Sequence, residues 1–200
     1  MHKIKTSGVI LAGGKSTRMK FNKAFADING MPVIQIIINK LQKVADEILI
    51  ISNKPELFAG FGLEVYPDIY PYCGPVSGIH SGLTHASYDA IFVIGCDVPF
   101  IDIELVRYLR NKINGFDCVV PEIGGRLQPT SAFYHKSCRP VFEDALKQQK
   151  LKLTWLLSEL KMVVVKQEEL QQFGNVNNIF LNVNSRDMLE KARELAGGLL

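Results

Sequence analysis

The sequence predicts an α/β protein with a mostly parallel β-sheet and helices on both faces. Short apolar runs rich in β-branched residues alternate with longer stretches in which apolar residues recur at helical spacing. Several of these runs are followed directly by polar or glycine-rich segments, at the carboxyl ends where such sheets bind their ligands. Because the 200 residues contain no linker and no internal repeat, we expect one domain spanning residues 1–200.

The first half of the chain repeats a strand–helix pattern. In its first predicted helix Ile34, Ile37 and Leu41 share one apolar stripe, and Pro32 suits the first turn. The predicted strands are Lys5–Ala12, Glu47–Ser52, Leu63–Tyr66 and Ala90–Gly95, and the predicted helices are Pro32–Val44, Pro75–Ser87 and one that Asp102 caps. After Cys118 we expect strands at Cys118–Pro121, Thr130–His135 and Met162–Lys166, and helices at Lys136–Gln148, Thr154–Leu160 and Ser185–Leu195.

Composition excludes several classes of protein. Lys and Arg number 23 against 20 Asp and Glu, so no global field attracts nucleic acid or an anionic membrane. No segment has the length and apolarity of a signal peptide or a membrane span, and we therefore expect a cytoplasmic protein. The four cysteines lack the paired spacing of zinc or redox motifs, which favours buried thiols without a chemical role.

The end of the first strand is the strongest candidate for a binding site. Gly13-Gly14 is followed by residues 15–23, which contain four cations and no acidic residue. Glycines let backbone N–H groups approach phosphate oxygens, and cations neutralise the charge that develops as pyrophosphate leaves. The segment fits a polyphosphate, although a Gly-Gly turn with a solvated basic face explains the same residues equally well.

Two familiar phosphate motifs are excluded by spacing. Gly14-Lys15-Ser16 resembles the end of a P-loop, but the position of the first P-loop glycine is occupied by Val9, inside the predicted strand. The dinucleotide fingerprint G-x-G-x-x-G is absent as well.

Polar residues follow three other predicted strands. Asp97 comes just after Ala90–Gly95, where one carboxylate suffices to hold Mg²⁺ together with phosphate oxygens and water. A turn before Pro99 is the competing interpretation of Asp97. Asp68 and Asn53 also follow strands and could contact a base or ribose, or could simply serve turn chemistry.

Taken together, these segments closely resemble the molybdenum cofactor guanylyltransferase family nearly end to end. The matching motifs are Leu11-Ala12-Gly13-Gly14-Lys15-Ser16-Thr17-Arg18-Met19 with Lys23, Asp68 with Gly74-Pro75, Cys96-Asp97-Val98-Pro99, Gln128-Pro129-Thr130 and Asn182-Val183-Asn184. The first motif belongs to a wider nucleotidyltransferase superfamily, and its combination with the later motifs is the more specific signal.

The resemblance implies a three-layer, Rossmann-like nucleotidyltransferase fold that transfers GMP from Mg-GTP to the terminal phosphate of molybdenum-molybdopterin. It implies that Arg18, Lys23 and Asp97 are catalytic and that Asp97 holds Mg²⁺. The nucleotide-binding residues that it implies are Leu11, Ala12, Gly13, Gly14, Lys23, Asn53, Asp68 and Asp97. Asn182 and Asn184 are implied on the acceptor side, assisted by Arg126 and Gln128-Pro129-Thr130, although a helix N-cap explains these asparagines equally well. Further partners would be other cofactor-biosynthesis proteins and apo-molybdoenzymes.

The chain departs from the family in its basic loop. Lys20 and Asn22 stand where the family usually has Gly and Asp, and the stretch between Met19 and Lys23 is a residue shorter. These changes leave open a nucleotide-binding protein that delivers the cofactor without chemistry. A related nucleotidyltransferase that uses CTP, ATP or UTP with another phosphorylated acceptor also stays open, because the phosphate loop would serve any nucleoside triphosphate.

Overall fold

The computed structural model describes residues 4–13 and 22–197, whose strands form an eight-stranded mixed sheet and a separate two-stranded hairpin. The strands are β1 (Thr6–Leu11), β2 (Asp27–Ile28), β3 (Met31–Pro32), β4 (Glu47–Ile51), β5 (Glu64–Tyr66), β6 (Ala90–Gly95), β7 (Cys118–Ile123), β8 (Arg126–Leu127), β9 (Ser131–His135) and β10 (Met162–Val165). The helices are α1 (Val33–Leu41), α2 (Gly74–His85), α3 (Ile103–Asn111), α4 (Arg139–Lys147), α5 (Leu153–Ser158), α6 (Gln167–Leu170), α7 (Val176–Ile179) and α8 (Arg186–Gly197).

The main sheet has the order β10-β7-β9-β6-β1-β4-β5, and β8 pairs with β7. Strands β6, β1, β4 and β5 are mutually parallel, as are β7 and β10, whereas β9 runs antiparallel to both of its neighbours. The chain moves from β1 to β4 on one side and returns to β6 on the other. This reversal beside β1 is the topological switch point at which open α/β sheets bind ligands.

Each face of the sheet is covered by its own hydrophobic core. Ile10, Ile50 and Phe92 point into one core, together with side chains of α1, α3, α7 and α8. Val9 and Leu49 point into the other, together with side chains of α2, α4 and α5. Successive residues of a strand point to opposite faces, so these strands are apolar on both sides and form the middle of a three-layer molecule.

Helix α2 packs unusually close to β1. A Cβ atom added at Gly82 would lie 2.7 Å from Val9 Cγ1, and one added at Gly78 would lie 3.0 Å from Leu11 Cδ2. Since Gly78 faces the end of β1 and Gly82 faces its middle, α2 runs antiparallel to β1. The first turn of α2 therefore lies beyond the carboxyl end of β1.

The predicted strands and longer helices are confirmed, with boundaries that shift by a few residues. Asp102 caps α3 as predicted, because its Oδ1 accepts the backbone N–H of Leu105 at 2.9 Å. The Asn29-Gly30 hairpin was missed, although two left-handed residues of this type favour a tight turn between strands. Helices α6 and α7 and the 3₁₀ segment Pro55–Phe61 were missed too.

The cysteines are free thiols in the structure. Cys73, Cys118 and Cys138 are buried, and Cys96 is partly buried. Among the described residues no helix is long and apolar enough to cross a membrane.

Candidate functional site

The carboxyl ends of four parallel strands are joined by backbone hydrogen bonds that continue beyond the strands. Four such N–H to C=O bonds link neighbouring segments across the edge of the sheet: Gly95 to Thr130 (3.0 Å), Cys96 to Leu11 (3.0 Å), Ala12 to Ile51 (2.9 Å) and Ser52 to Tyr66 (2.9 Å). Leu11 and Ala12 thus lie at the centre of this edge, between the segments after β6 and β4. We call this row of connected segments the strand-end rim.

Gly13 extends from the rim toward the segment after β5. It is exposed, and a Cβ atom added to it would lie 3.6 Å from Asp68 Oδ2. The phosphate-loop candidate therefore begins next to the Asp68 carboxylate. The predicted site residues Gly14 and Arg18 fall in positions 14–21, outside the described residues.

Lys23 and Asp97 come together although 74 positions separate them. Lys23 Nζ lies 3.5 Å from Asp97 Oδ2, and each side chain keeps about a quarter of its surface exposed, at 24% and 23%. Lys23 opens a 3₁₀ turn that Asn22 caps, because Asn22 Oδ1 accepts the backbone N–H of Ala24 at 3.1 Å. Asn22 thus orients the turn that carries Lys23 without adding a negative charge beside it.

Asn53 and Asp68 form a reciprocal pair. Asn53 Nδ2 donates to Asp68 Oδ2 at 2.8 Å, and the backbone N–H of Asp68 donates to Asn53 Oδ1 at 3.0 Å. Partial burial raises the pKa of the Asp68 carboxyl, and hydrogen bonds from Asn53 and Ser77 act against that rise. The structure therefore brings these two predicted residues together at one end of the rim and holds the carboxylate in a fixed place.

Asn182 and Asn184 lie near Asp97, on the other side of the rim. The backbone N–H of Val183 donates to the carbonyl of Asp97 at 2.8 Å. Val183 is buried and both asparagines are exposed. The cap at this helix end comes from Ser185, whose Oγ accepts the N–H of Met188 at 3.3 Å, so the N-cap interpretation applies to Ser185 rather than to the asparagines.

The segment Gln128-Pro129-Thr130 is also part of the rim. The carbonyl of Thr130 accepts the N–H of Gly95, and the hydroxyl of the buried Tyr134 donates to the carbonyl of Pro129 at 2.7 Å. Arg126 is exposed in β8, and Gln128 Nε2 donates to its carbonyl at 3.2 Å.

Cys96 lies between Leu11 and Asp97 but is unsuited to nucleophilic chemistry. Burial, and secondarily the charge of Asp97, raise the pKa of the Cys96 thiol to about 12. The thiol is therefore protonated at neutral pH, and a protonated thiol is a poor nucleophile. The side chains of the rim that remain available for chemistry are therefore charged carboxylate and ammonium groups, such as those of Asp97 and Lys23.

The metal-binding capacity of the rim can be judged from its carboxylates. Within the described residues, no three His, Cys, Asp or Glu side chains are grouped closely enough to form a dedicated metal cage. Mg²⁺ does not need one, because it commonly takes one or two carboxylates and completes its octahedron with water and phosphate oxygens. The partly exposed Asp97 carboxylate fits that mode of binding.

Two side chains with no predicted role also reach this site. Ser77 and Ser81 lie one turn apart on α2, and both contact the segment that follows Asp68. Their spacing on the face of α2 that also carries Gly78 and Gly82 was a usable signal, because a serine inside a buried helix face requires a hydrogen-bond partner.

Comparison with known proteins decides the family. A family model described as the MobA-like NTP transferase domain matches residues 8–163. This chain belongs to that family. It is 42% identical over 186 residues to a protein of Clostridium perfringens (strain 13 / Type A) named probable molybdenum cofactor guanylyltransferase, with 88% of this chain and 93% of that protein covered. A protein of the same name from Pelotomaculum thermopropionicum is 36% identical, with 96% and 94% covered.

A solved structure confirms the fold. The crystal structure of molybdopterin-guanine dinucleotide biosynthesis protein A from Archaeoglobus fulgidus superimposes with a TM-score of 0.85 at 24% identity and covers 96% of this chain and 99% of that one. The predicted resemblance to molybdenum cofactor guanylyltransferases and the predicted Rossmann-like nucleotidyltransferase fold are therefore confirmed. The chain is an enzyme of the nucleotidyltransferase class.

Proposed function

We propose that this enzyme transfers GMP from Mg-GTP to the terminal phosphate of molybdenum-molybdopterin, releasing pyrophosphate and forming the guanine dinucleotide form of the molybdenum cofactor. The observation that carries the proposal is the strand-end rim, which joins a glycine-ended strand, the Lys23–Asp97 contact and the Asn53–Asp68 pair at the switch point of the sheet. The relatives named for this activity match nearly the whole chain and support it further.

The nucleotide occupies the rim from Asp68 to Asp97 in this proposal. The backbone of Leu11, Ala12 and Gly13 lines the phosphates, with Gly14 and Arg18 continuing that loop. Asn53 and Asp68 face the nucleoside, and Lys23 neutralises the charge of the leaving pyrophosphate. Asn182 and Asn184 contact the acceptor, because their segment is bonded to the carbonyl of Asp97 and both residues are exposed.

Asp97 is the proposed ligand for Mg²⁺, which supplies charge neutralisation on the phosphate oxygens. The acceptor phosphate is already an anion, so the enzyme needs neither a covalent intermediate nor a general base. Its residues place the acceptor phosphate in line with the α-phosphate of GTP and offset the repulsion between them. Asp97 holds Lys23 for that task, with Lys23 Nζ 3.5 Å from Asp97 Oδ2. Asp97 therefore serves both the metal and the lysine.

The proposal also includes the predicted domain organisation, cellular location and partners. All 200 residues form one nucleotidyltransferase domain, which is supported by the presence of Ile10, near one end of the chain, and Ala192, near the other, in the same one of the two hydrophobic cores. We propose a cytoplasmic location and contacts with other cofactor-biosynthesis proteins and apo-molybdoenzymes, and no binding of nucleic acid or membranes.

The proposal is tested by incubating the protein with molybdopterin and one Mg-nucleotide at a time, and then identifying the product by mass. We expect pyrophosphate release and the guanine dinucleotide product with GTP. Preference for CTP, ATP or UTP would reassign the enzyme to another nucleotide. Tight GTP binding without pyrophosphate release would instead indicate a cofactor-delivery protein.

A further inference from the structure

The segment after β5 is held in place by side chains instead of by secondary structure. Residues 68–70 lie outside any helix or strand, yet their three consecutive backbone N–H groups all donate to side-chain oxygens. The acceptors are Asn53 Oδ1 for Asp68 (3.0 Å), Ser81 Oγ for Ile69 (2.9 Å) and Ser77 Oγ for Tyr70 (3.3 Å). Each N–H of this irregular segment is thereby given a fixed direction.

Ser77 and Ser81 are fully buried, with relative exposures of 0%. Burying a hydroxyl is unfavourable unless it forms hydrogen bonds, and alanine is the better helix former. The bonds to residues 69 and 70 account for both hydroxyls at these positions. They also tie residues 68–70 to α2, whose own place is set by the close contact of Gly78 and Gly82 with β1.

We infer that Ser77 and Ser81 are positioning residues for nucleotide binding, which hold Asp68 in place through the backbone of residues 68–70. The inference rests on the proposed function, because it takes Asp68 to contact the nucleotide. Asn53 anchors the segment from β4, and the two serines anchor it from α2. Asp68 is therefore presented to the nucleotide by two elements that both pack against β1 and its core.

Ser77 differs from Ser81 in one respect. Hydrogen bonding from Ser77 also lowers the pKa of the Asp68 carboxyl, against the rise that burial causes. Removing this donor disfavours the ionised carboxylate, whereas removing Ser81 changes only the backbone anchor. We therefore expect Ser77→Ala and Ser81→Ala to weaken nucleotide binding equally but to differ in how that binding depends on pH.

The experiment measures the affinity of Ser77→Ala, Ser81→Ala and the control Thr84→Ala for Mg-GTP by calorimetry, without acceptor. Thr84 lies on the same helix, but its hydroxyl donates to the carbonyl of His80 within α2. We expect about tenfold weaker binding for Ser77→Ala and for Ser81→Ala, because each leaves a backbone N–H without its partner, and less than twofold change for Thr84→Ala. Turnover at saturating GTP stays within about twofold of the wild type.

The pH profile separates positioning from a general loss of structure. As pH falls, affinity should be lost at a higher pH in Ser77→Ala than in the wild type, and at the wild-type pH in Ser81→Ala. If Ser77→Ala fails to fold, Ser77→Cys preserves the volume with a weaker donor and is measured in its place. Wild-type affinity in both serine variants would overturn the inference. Failure of the wild type itself to bind GTP would overturn the proposed function instead.

Discussion

The two sides of the strand-end rim are held in place in different ways. On the side of β4 and β5, side chains fix the predicted residues: Asn53 binds Asp68 through two hydrogen bonds, and Ser77 and Ser81 hold the segment that follows. On the side of β6, backbone bonds hold the Thr130, Asp97 and Val183 segments together, and the asparagines beside Val183 stay exposed. The first side is held by several side-chain hydrogen bonds between segments, whereas on the second the side-chain bond of Asn182 is local, from its Nδ2 to the carbonyl of Phe180 at 3.2 Å.

This difference suits the two proposed ligands. The side that contains Asp68 needs little rearrangement when a nucleotide binds. The conformational entropy of the Asp68 side chain has already been lost when the protein folds, so nucleotide binding does not have to lose it again. An acceptor bound by Asn182 and Asn184 meets exposed side chains that lose further conformational freedom on contact. Substitutions on the side of β4 and β5 should therefore weaken substrate binding more than substitutions of Asn182 and Asn184 do.

The largest effect is expected where the two sides meet, at Asp97. Asp97→Ala should lower kcat/KM by about 10³-fold, or about 4 kcal/mol, because it removes the proposed metal ligand and the partner of Lys23. Steady-state pyrophosphate release measures it. Asp102→Ala is the matched control from the same loop: it loses the α3 cap, costs about 1 kcal/mol of folding stability and keeps near-normal turnover. Near-normal turnover by Asp97→Ala would contradict the proposed mechanism.

A smaller effect is expected at Asn53, on the side of β4 and β5. Asn53→Ala deletes both bonds to Asp68 and should raise the KM for GTP about thirtyfold, or about 2 kcal/mol, while the KM for molybdopterin changes little. Initial rates at varied GTP measure the change. An equal rise in both KM values would show that the two sides do not act separately.

Asn182→Ala and Asn184→Ala should each have a smaller effect, on the other substrate. An exposed amide that bonds a ligand contributes about 1 kcal/mol, so we expect the KM for molybdopterin to rise about fivefold with GTP affinity unchanged. Initial rates at varied molybdopterin and calorimetry with GTP measure the two quantities. Weakened GTP binding in these variants would place the asparagines on the nucleotide side.

The smallest effect is on stability and depends on pH. Burial raises the pKa of Asp68, so its ionised form is disfavoured in the folded state: the cost is absent below its ordinary pKa and fully present above its raised pKa. Asp68→Asn should therefore increase the free energy of unfolding at about pH 7, and the gain should shrink as pH falls toward about 4. Urea denaturation across this range measures it.

Asp117 is the control, because its pKa is lowered in the folded protein whereas that of Asp68 is raised. A hydrogen bond from Ser137, opposed by partial burial, lowers its pKa, so its stabilisation is present above the ordinary pKa and is lost as pH falls through the lowered one. Asp117→Asn should destabilise the protein at neutral pH, and the loss should fade on acidification. Parallel behaviour of the two variants would contradict the assignment of the Asp68 shift to burial.

Much of the fold could be predicted because its signals are local. The strand Ala90–Gly95 has the predicted limits, since six apolar or small residues between polar segments form a buried strand in almost any context. Helix α1 ends at Leu41, short of the predicted Val44, because residues 42–44 continue as a turn that its apolar pattern does not distinguish from helix. Short elements such as α6 and α7 contain too few residues to show a period.

The sequence by itself determined which residues follow strands, and hence that Gly13, Asn53, Asp68 and Asp97 belong to one edge of the sheet. Only the tertiary structure decided how they meet. Asn53 and Asp68 are bonded across two strands, Ser81 reaches Ile69 from a helix, and Val183 binds the Asp97 carbonyl from 86 positions away. These contacts depend on strand order and on the close packing of α2 against β1. Both arise from burial of the whole core, so no local pattern of residues encodes them.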